Sequence, residues 1–206
     1  VPGMYGVIGV LSALERRHRT GEGAHVDISM MDGLVAIIEN ALMRYWATGE
    51  VPGPIGSRHP AIVPFSSYPS ADGYIVVAVA NNKSMFTKFC NVIGAPELDQ
   101  RPEYADNDLR LANVKQFTEE LSDVFRRNTT AHWLSVLREA GIPCSPVNTM
   151  ADIYHDPHLA ARHMMVQVDQ PGLSKPQVMP GTPVKVTGHD DTDFQHAPFV
   201  GEHTDS

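Results

Sequence analysis

A chain of 206 residues is long enough for one large domain or two small ones, and its 42% hydrophobic content is enough for a core. The formal charge of -8 argues against a nucleic-acid partner or an anionic membrane surface, because holding a polyanion needs Lys and Arg in excess. Cys90 and Cys144 lie far apart with no secretory segment ahead of them, so a cytoplasmic or organelle-matrix setting is expected rather than a disulfide framework. The apolar run from Ile75 to Ala80 is too short to cross a bilayer.

Met4, Val7, Ile8, Leu11 and Leu14 recur at helical spacing, and Arg16, Arg17, His18 and Arg19 fill a last turn before Gly21, where cations suit the negative helix end. Residues 25–30 alternate polar and apolar at period two, as a strand does. Leu34, Ile37, Ile38, Ala41, Leu42 and Tyr45 mark a second helix, with Asp32 placed to cap or lead it. Gly6 and Gly9 fall inside the first helical pattern, so they are expected to let a neighbouring element approach rather than to cradle a phosphate. Helix, strand and helix with short links make an α/β layer.

The Pro/Gly stretch 48–57 reads as a linker. Residues 63–68 and 74–80 are expected to pair as a hairpin through 69–73, with Asp72-Gly73 supplying a positive φ. Residues 84–93 carry Met85, Phe86, Phe89 and Val92 at helical spacing, with Ser84 as cap and Gly94 as stop, and two more helices follow over 111–125 and 131–140. Asp156-Pro157 starts a helix running to about His163, because Asp accepts free amide N–H groups and Pro fits a first turn. Strands are expected at 166–168 and 184–186, either side of a Pro/Gly-rich loop. The expected division is 1–50 as part of a large α/β domain, 51–65 as linker, 66–147 as a small α+β domain and 148–206 as a return to the large one.

The run from Gly3 to Asp32, GMYGVIGVLSALERRHRTGEGAHVDISMMD, is joined by several shorter motifs. These are Gly56-Ser57-Arg58-His59-Pro60, Ile62-Val63-Pro64-Phe65, Asp72-Gly73-Tyr74 with the apolar strand after it, Gly141-Ile142-Pro143-Cys144, His155-Asp156-Pro157, and the segment from Ala197 to Asp205. In this order, and across nearly the whole chain, they resemble the family III CoA-transferases, among them formyl-CoA transferase and the carnitine CoA-transferases. The resemblance implies an α/β fold made of part of an open Rossmann-like large domain plus a small α+β domain. It also implies an interlocked homodimer, acyl-CoA and a small carboxylic acid as substrates, coenzyme A as the group moved, and no metal.

In that family an aspartate carboxylate attacks the thioester, giving a mixed anhydride and CoA thiolate, and is regenerated by a second acyl exchange. The resemblance places this aspartate two positions ahead of Val1 and a further helical segment after Asp205, so residues are expected beyond both ends and no catalytic residue is assigned within the chain. Asp27 and Asp32 are read as a strand residue and a helix leader rather than as nucleophiles. Arg58 and His59 are the candidate substrate-binding residues. Their stretch corresponds to a mobile loop over the family's active site, a guanidinium pairs bidentately with a carboxylate, and an imidazole orients one by hydrogen bond.

Four other features have structural readings. The basic run Arg16 to Arg19 suits a solvated helix end better than the phosphates of CoA. His155, His158 and His163 lack the i, i+4 spacing of a helical zinc pair. Cys144, in Ile-Pro-Cys-Ser-Pro, reads as packing rather than as a nucleophile. Asn81, Asn82 and Lys83 stand where α-methylacyl-CoA racemases of the same fold carry a glutamate, which favours the transferase over that alternative. A third alternative is a chain that folds and associates without turnover. Among acceptor acids, a dicarboxylate such as succinate or glutarate is expected.

Overall fold

Two units, Val1–Gly56 and Ser57–Ser206, make up the computed structural model, in which residues 1–190 and 194–204 are described. Asp205, the end of the last family motif, lies outside the described residues.

In the first unit Pro2, which needs no amide hydrogen in a first turn, opens α1 (Pro2–Thr20). Arg17, His18 and Arg19 occupy its last turn, and Gly21 closes it at φ 76°, donating its N–H to Arg17 O at 2.8 Å. The expected strand over 25–30 does not form. No strand among the described residues of this unit lies beside it, and Met30 already begins α2 (Met30–Val35). Its alternation serves another contact: Val26 Cγ1 and Ile28 Cδ1 lie 2.8 and 3.7 Å from where a Cβ on Gly9 would sit. Gly6 has nothing within 4 Å of that point, so the expected close approach is made at Gly9 alone.

The single helix expected around 34–45 is two, α2 and α3 (Glu39–Thr48). Between them Ile37 N–H and Ile38 N–H turn to Leu34 O and Val35 O, an i, i+3 pattern in a stretch crowded with β-branched Val35, Ile37 and Ile38. Ser29, not Asp32, caps α2, its Oγ accepting from Asp32 N–H, while Asp32 occupies the first turn. Among the described residues of this unit only Gly33 is buried, beneath Tyr5 and Pro2 of α1.

The second unit holds the apolar core. β1 (Phe65–Pro69) and β2 (Tyr74–Ala78) form the expected antiparallel hairpin, with Tyr68 opposite Ile75. Beyond them β3 (Cys144–Pro146), not anticipated, pairs with β2 in the order β1-β2-β3, and its Pro146 is tolerated because the strand is an edge. The reversal after β1 does not use a positive φ at Gly73. Asp72 Oδ1 instead accepts from Thr130 N–H, Thr130 Oγ1 and Ser70 Oγ at 2.7, 2.9 and 3.2 Å, which ties the turn to the helix that begins there.

Ile75, Val77 and Tyr68 point into a cluster to which α4 (Lys83–Val92), α5 (Glu97–Gln100), α7 (Val114–Phe125) and α8 (Thr130–Glu139) contribute buried side chains, while α6 (Asn107–Ala112) packs the partly buried Leu111 against it. Phe125 is central to it, its ring 5.2 Å from both Tyr68 and Trp133, and Trp133 Nε1–H donates to Phe125 O at 2.7 Å. Asn82 rather than Ser84 caps α4, accepting from Met85 N–H at 2.7 Å. The helix expected over 111–125 is broken at Asn113, whose amide competes for the backbone by donating to Leu109 O.

α9 (Met150–Tyr154) carries a Thr149/Asp152 capping box, and α10 (Pro157–Ala161) starts as expected, Asp156 Oδ1 accepting from His158 N–H and Leu159 N–H. β4 (Met165–Val168) also forms where expected, but its partner is β5 (Gln177–Pro180), inside the Pro/Gly-rich loop, and not residues 184–186. The chain returns to β4 earlier than its composition suggests, and Gly181 N–H closes the pair on Met164 O; Val184 and Val186 are left 67% and 60% exposed. No helix among the described residues is long and apolar enough to cross a membrane.

Candidate functional site

Between Gly56 and β1 the backbone forms no regular element, so its polar groups must be satisfied by other means. His59 N–H donates to Phe65 O at 2.7 Å, and the imidazole stacks on the Phe65 ring at 5.1 Å with planes 11° apart. His59 Nδ1 accepts from Ala61 N–H at 3.0 Å. An amide N–H can only donate, so the neutral ring carries its proton on Nε2 and offers a donor there.

Arg58 is half-buried and donates from Nη1 to His59 O at 3.3 Å. It has no ion pair among the described residues, in contrast to Arg101, Arg126 and Lys83, each of which meets a carboxylate. Ser57 Oγ lies 2.7 Å from Ser67 Oγ and 3.2 Å from the buried Ser66 Oγ. Sequence neighbours Arg58 and His59 therefore sit in one segment, with a guanidinium and an imidazole N–H not committed to any acid among the described residues.

The residues that hold this segment were not singled out from the sequence. Asn107, 6% exposed, donates from Nδ2 to Ala61 O at 2.8 Å and accepts at Oδ1 from Val63 N–H at 3.0 Å. Arg110, 3% exposed, donates from Nε to Val63 O at 2.8 Å and from Nη1 to Tyr104 O at 2.9 Å, with its guanidinium 4.0 Å from the Phe86 ring centroid. Burial pulls its pKa below the usual arginine range, while the two carbonyls and the ring face give the cation its partners. The available signal was a polar pair at i, i+3 after the capping Asp106, on a helix leading into a strongly apolar one.

Asp27 and Asp32 line an open cavity of about 250 Å³ in the first unit. The basic helix end is occupied by its own acids, Arg16 pairing with Glu22 at 2.8 Å and Arg19 with Glu15 at 3.5 Å. Among the described residues His155, His158 and His163 join no group of three ligating side chains. Asn82 is a helix cap and Lys83 pairs with Asp99. Cys144 is half-buried in β3, where burial raises its pKa against the lowering effect of Arg138, and burial pushes Cys90 up to about 12. A cavity of about 510 Å³ lies along β4 and β5, lined by Tyr154, Gln167 and Lys175 among others, and includes neither Arg58 nor His59.

Residues 1–204 match CoA-transferase family III. The chain belongs to that family. It is 40% identical over 189 residues to the acetyl-CoA:oxalate CoA-transferase of Acetobacter aceti, covering 92% of this chain and 47% of that protein. It is 34% identical over 196 residues to the succinyl-CoA:mesaconate CoA-transferase of Haloarcula hispanica, covering 95% and 48%. The crystal structure of a CAIB/BAIF family protein from Brucella suis superimposes with a TM-score of 0.77 at 33% identity, over 98% of this chain and 52% of that one. This family III chain thus spans about half the length of the relatives it matches, and the mixed α/β class expected for it is that of the family fold.

Proposed function

We propose that this chain is part of a CoA-transferase that moves CoA from an acyl-CoA donor to a free carboxylic acid, and that Arg58 and His59 bind the acid. The observation that carries the reading is the half-buried Arg58 guanidinium without an ion pair among the described residues, beside an imidazole fixed as an Nε2–H donor. A fork of N–H donors and one further N–H are the groups a carboxylate accepts from, and in a partly dry setting each such bond is charge-assisted. Oxalate and mesaconate, named in two relatives, are dicarboxylic acids, which supports a dicarboxylate as the acceptor.

The thioester chemistry follows the family expectation. An aspartate from outside these 206 residues attacks the thioester carbonyl, the C–S bond breaks, and CoA leaves as thiolate. Acyl-CoA and the acid are the small-molecule partners, no metal takes part, and the working enzyme is a cytoplasmic homodimer.

In the full-length protein, Arg58→Ala is expected to raise the KM for the acceptor acid about 10- to 150-fold, the equivalent of about 1.5–3 kcal/mol for a hydrogen bond to a charged group. Arg58→Lys recovers part of the loss, since an ammonium lacks the planar fork. Formation of the acyl-enzyme from the donor is spared, because it precedes acid binding. Unchanged acceptor kinetics in the alanine variant would return Arg58 to a purely structural role.

A further inference from the structure

The segment that carries Arg58 and His59 is pinned on both sides of Ala61. On one side His59 N–H is held by Phe65 O at 2.7 Å. On the other, the Asn107 side-chain amide bridges Ala61 O and Val63 N–H at 2.8 and 3.0 Å, pairing with the backbone as an adjacent strand would. Arg110, three residues on and so on the same side of α6, takes Val63 O at 2.8 Å. Ala61 N–H lies between these two anchors and is the group that donates to His59 Nδ1. Both anchors from α6 are almost fully buried, and so is Val63, so loss of their bonds would leave the Val63 N–H and C=O without partners, whereas the exposed Ala61 would be left to water.

We propose that Asn107, supported by Arg110, is a positioning residue: by fixing the Ala61–Val63 backbone it locks His59 in the Nε2–H tautomer and presents that N–H as a donor to the acid substrate. The inference rests on the reading of Arg58 and His59 as acid-binding residues, but its first half stands on backbone geometry alone. Without the Asn107 bridge the Ala61–Val63 backbone is released, His59 Nδ1 loses the Ala61 N–H from which it accepts, and the ring samples both tautomers. The Nδ1–H fraction then turns a lone pair toward an anion in place of a donor.

The test uses the full-length protein labelled with ¹⁵N-histidine, the His59 resonances being assigned by their loss in His59→Gln. Long-range ¹H–¹⁵N correlation at a pH where the ring is neutral reports which nitrogen bears the proton. The expected wild-type state is Nε2–H; an Nδ1–H tautomer there overturns the proposal without any further variant. In Asn107→Ala both tautomers are expected. In Asn107→Asp, which keeps the acceptor for Val63 N–H but lacks the donor to Ala61 O, the same shift is expected to a smaller extent. If Asn107→Ala does not fold, the wild-type spectrum and the aspartate variant decide. A folded Asn107 variant with unaltered His59 tautomer overturns the coupling. The paired kinetic readout is a rise of about tenfold in KM for the acceptor acid, with acyl-enzyme formation from the donor unchanged. A shifted tautomer with an unaltered KM leaves the coupling between Asn107 and His59 in place and overturns the acid-binding role.

Discussion

Individual side chains in this chain show how strongly a local environment decides chemical role. Cys90 is fully buried between Phe86, Phe89 and the rest of the core, and burial first, with Asp99 adding to it, pushes its thiol up to about 12. The thiolate is the reactive form, so Cys90 is expected to resist maleimide at about pH 8 in the folded protein and to label on unfolding in urea, read by intact mass. Rapid labelling in native buffer would contradict the burial. Asp72 is the opposite case, a carboxylate held ionised by hydrogen bonds, the Thr130 N–H foremost, so that its pKa lies below the ordinary value. The unfolded chain therefore takes up the proton first, and the stability that Asp72 contributes above about pH 4 is lost as pH falls from there through the depressed folded pKa. Thermal midpoints measured from about pH 6 down to about pH 3 are expected to fall more steeply for the wild type than for Asp72→Asn, whose side chain does not titrate.

At the level of elements, α1 and the segment after it meet through one missing Cβ. Gly9→Ala gains about 1 kcal/mol of helix propensity but drives a methyl against Val26, a β-branched side chain with little freedom to move, at a cost of about 1–3 kcal/mol for overpacking. Gly6→Ala meets nothing within 4 Å and keeps the propensity gain. In denaturation of the 206-residue chain followed by helical circular dichroism, Gly6→Ala is expected to stabilise the first unit and Gly9→Ala to leave it unchanged or weaker. Val26→Ala is expected to rescue Gly9→Ala. Equal stabilisation by both alanines would mean that residues 25–30 do not pack on α1. The same element scale explains several departures from the local reading: Asn82 and Ser29 outcompete Ser84 and Asp32 as caps because their β-region backbone aims an oxygen at the open N–H groups.

For the molecule as a whole, apolar surface is distributed unevenly between the two units. The second has a contiguous core from Val63 to Ile142, whereas the first leaves Met4, Leu11, Met30 and Trp46 70, 61, 73 and 79% exposed and buries only Gly33 among its described residues. Exposed apolar area on that scale drives association. The 206-residue chain by itself is expected to elute larger than a monomer and to bind a hydrophobic dye, in size-exclusion chromatography with light scattering. A monodisperse monomer with one sharp unfolding transition would count against this.

The features legible in the sequence are those set by neighbours within a few residues. α1 with its basic end and Gly21, the strands of the β1–β2 hairpin and the Asp156 cap before Pro157 follow from spacing, alternation and capping, which act locally, while the motifs from Gly3 onward carried the resemblance to the family. Arg58 and His59 were nameable because their residue types and motif suggest carboxylate binding. Tertiary structure alone decided that β5 and not residues 184–186 pairs with β4, that β3 joins β2, that Thr130 closes the turn at Asp72, and that Val26 and Ile28 lie against Gly9 in a segment that is not a strand. It also decided the Asn107 and Arg110 clamp, whose bonds join residues 44 to 47 positions apart. The physical reason is common to these cases: a backbone N–H or C=O must find a partner, but a one-dimensional pattern of polar and apolar residues does not say which distant group will reach it.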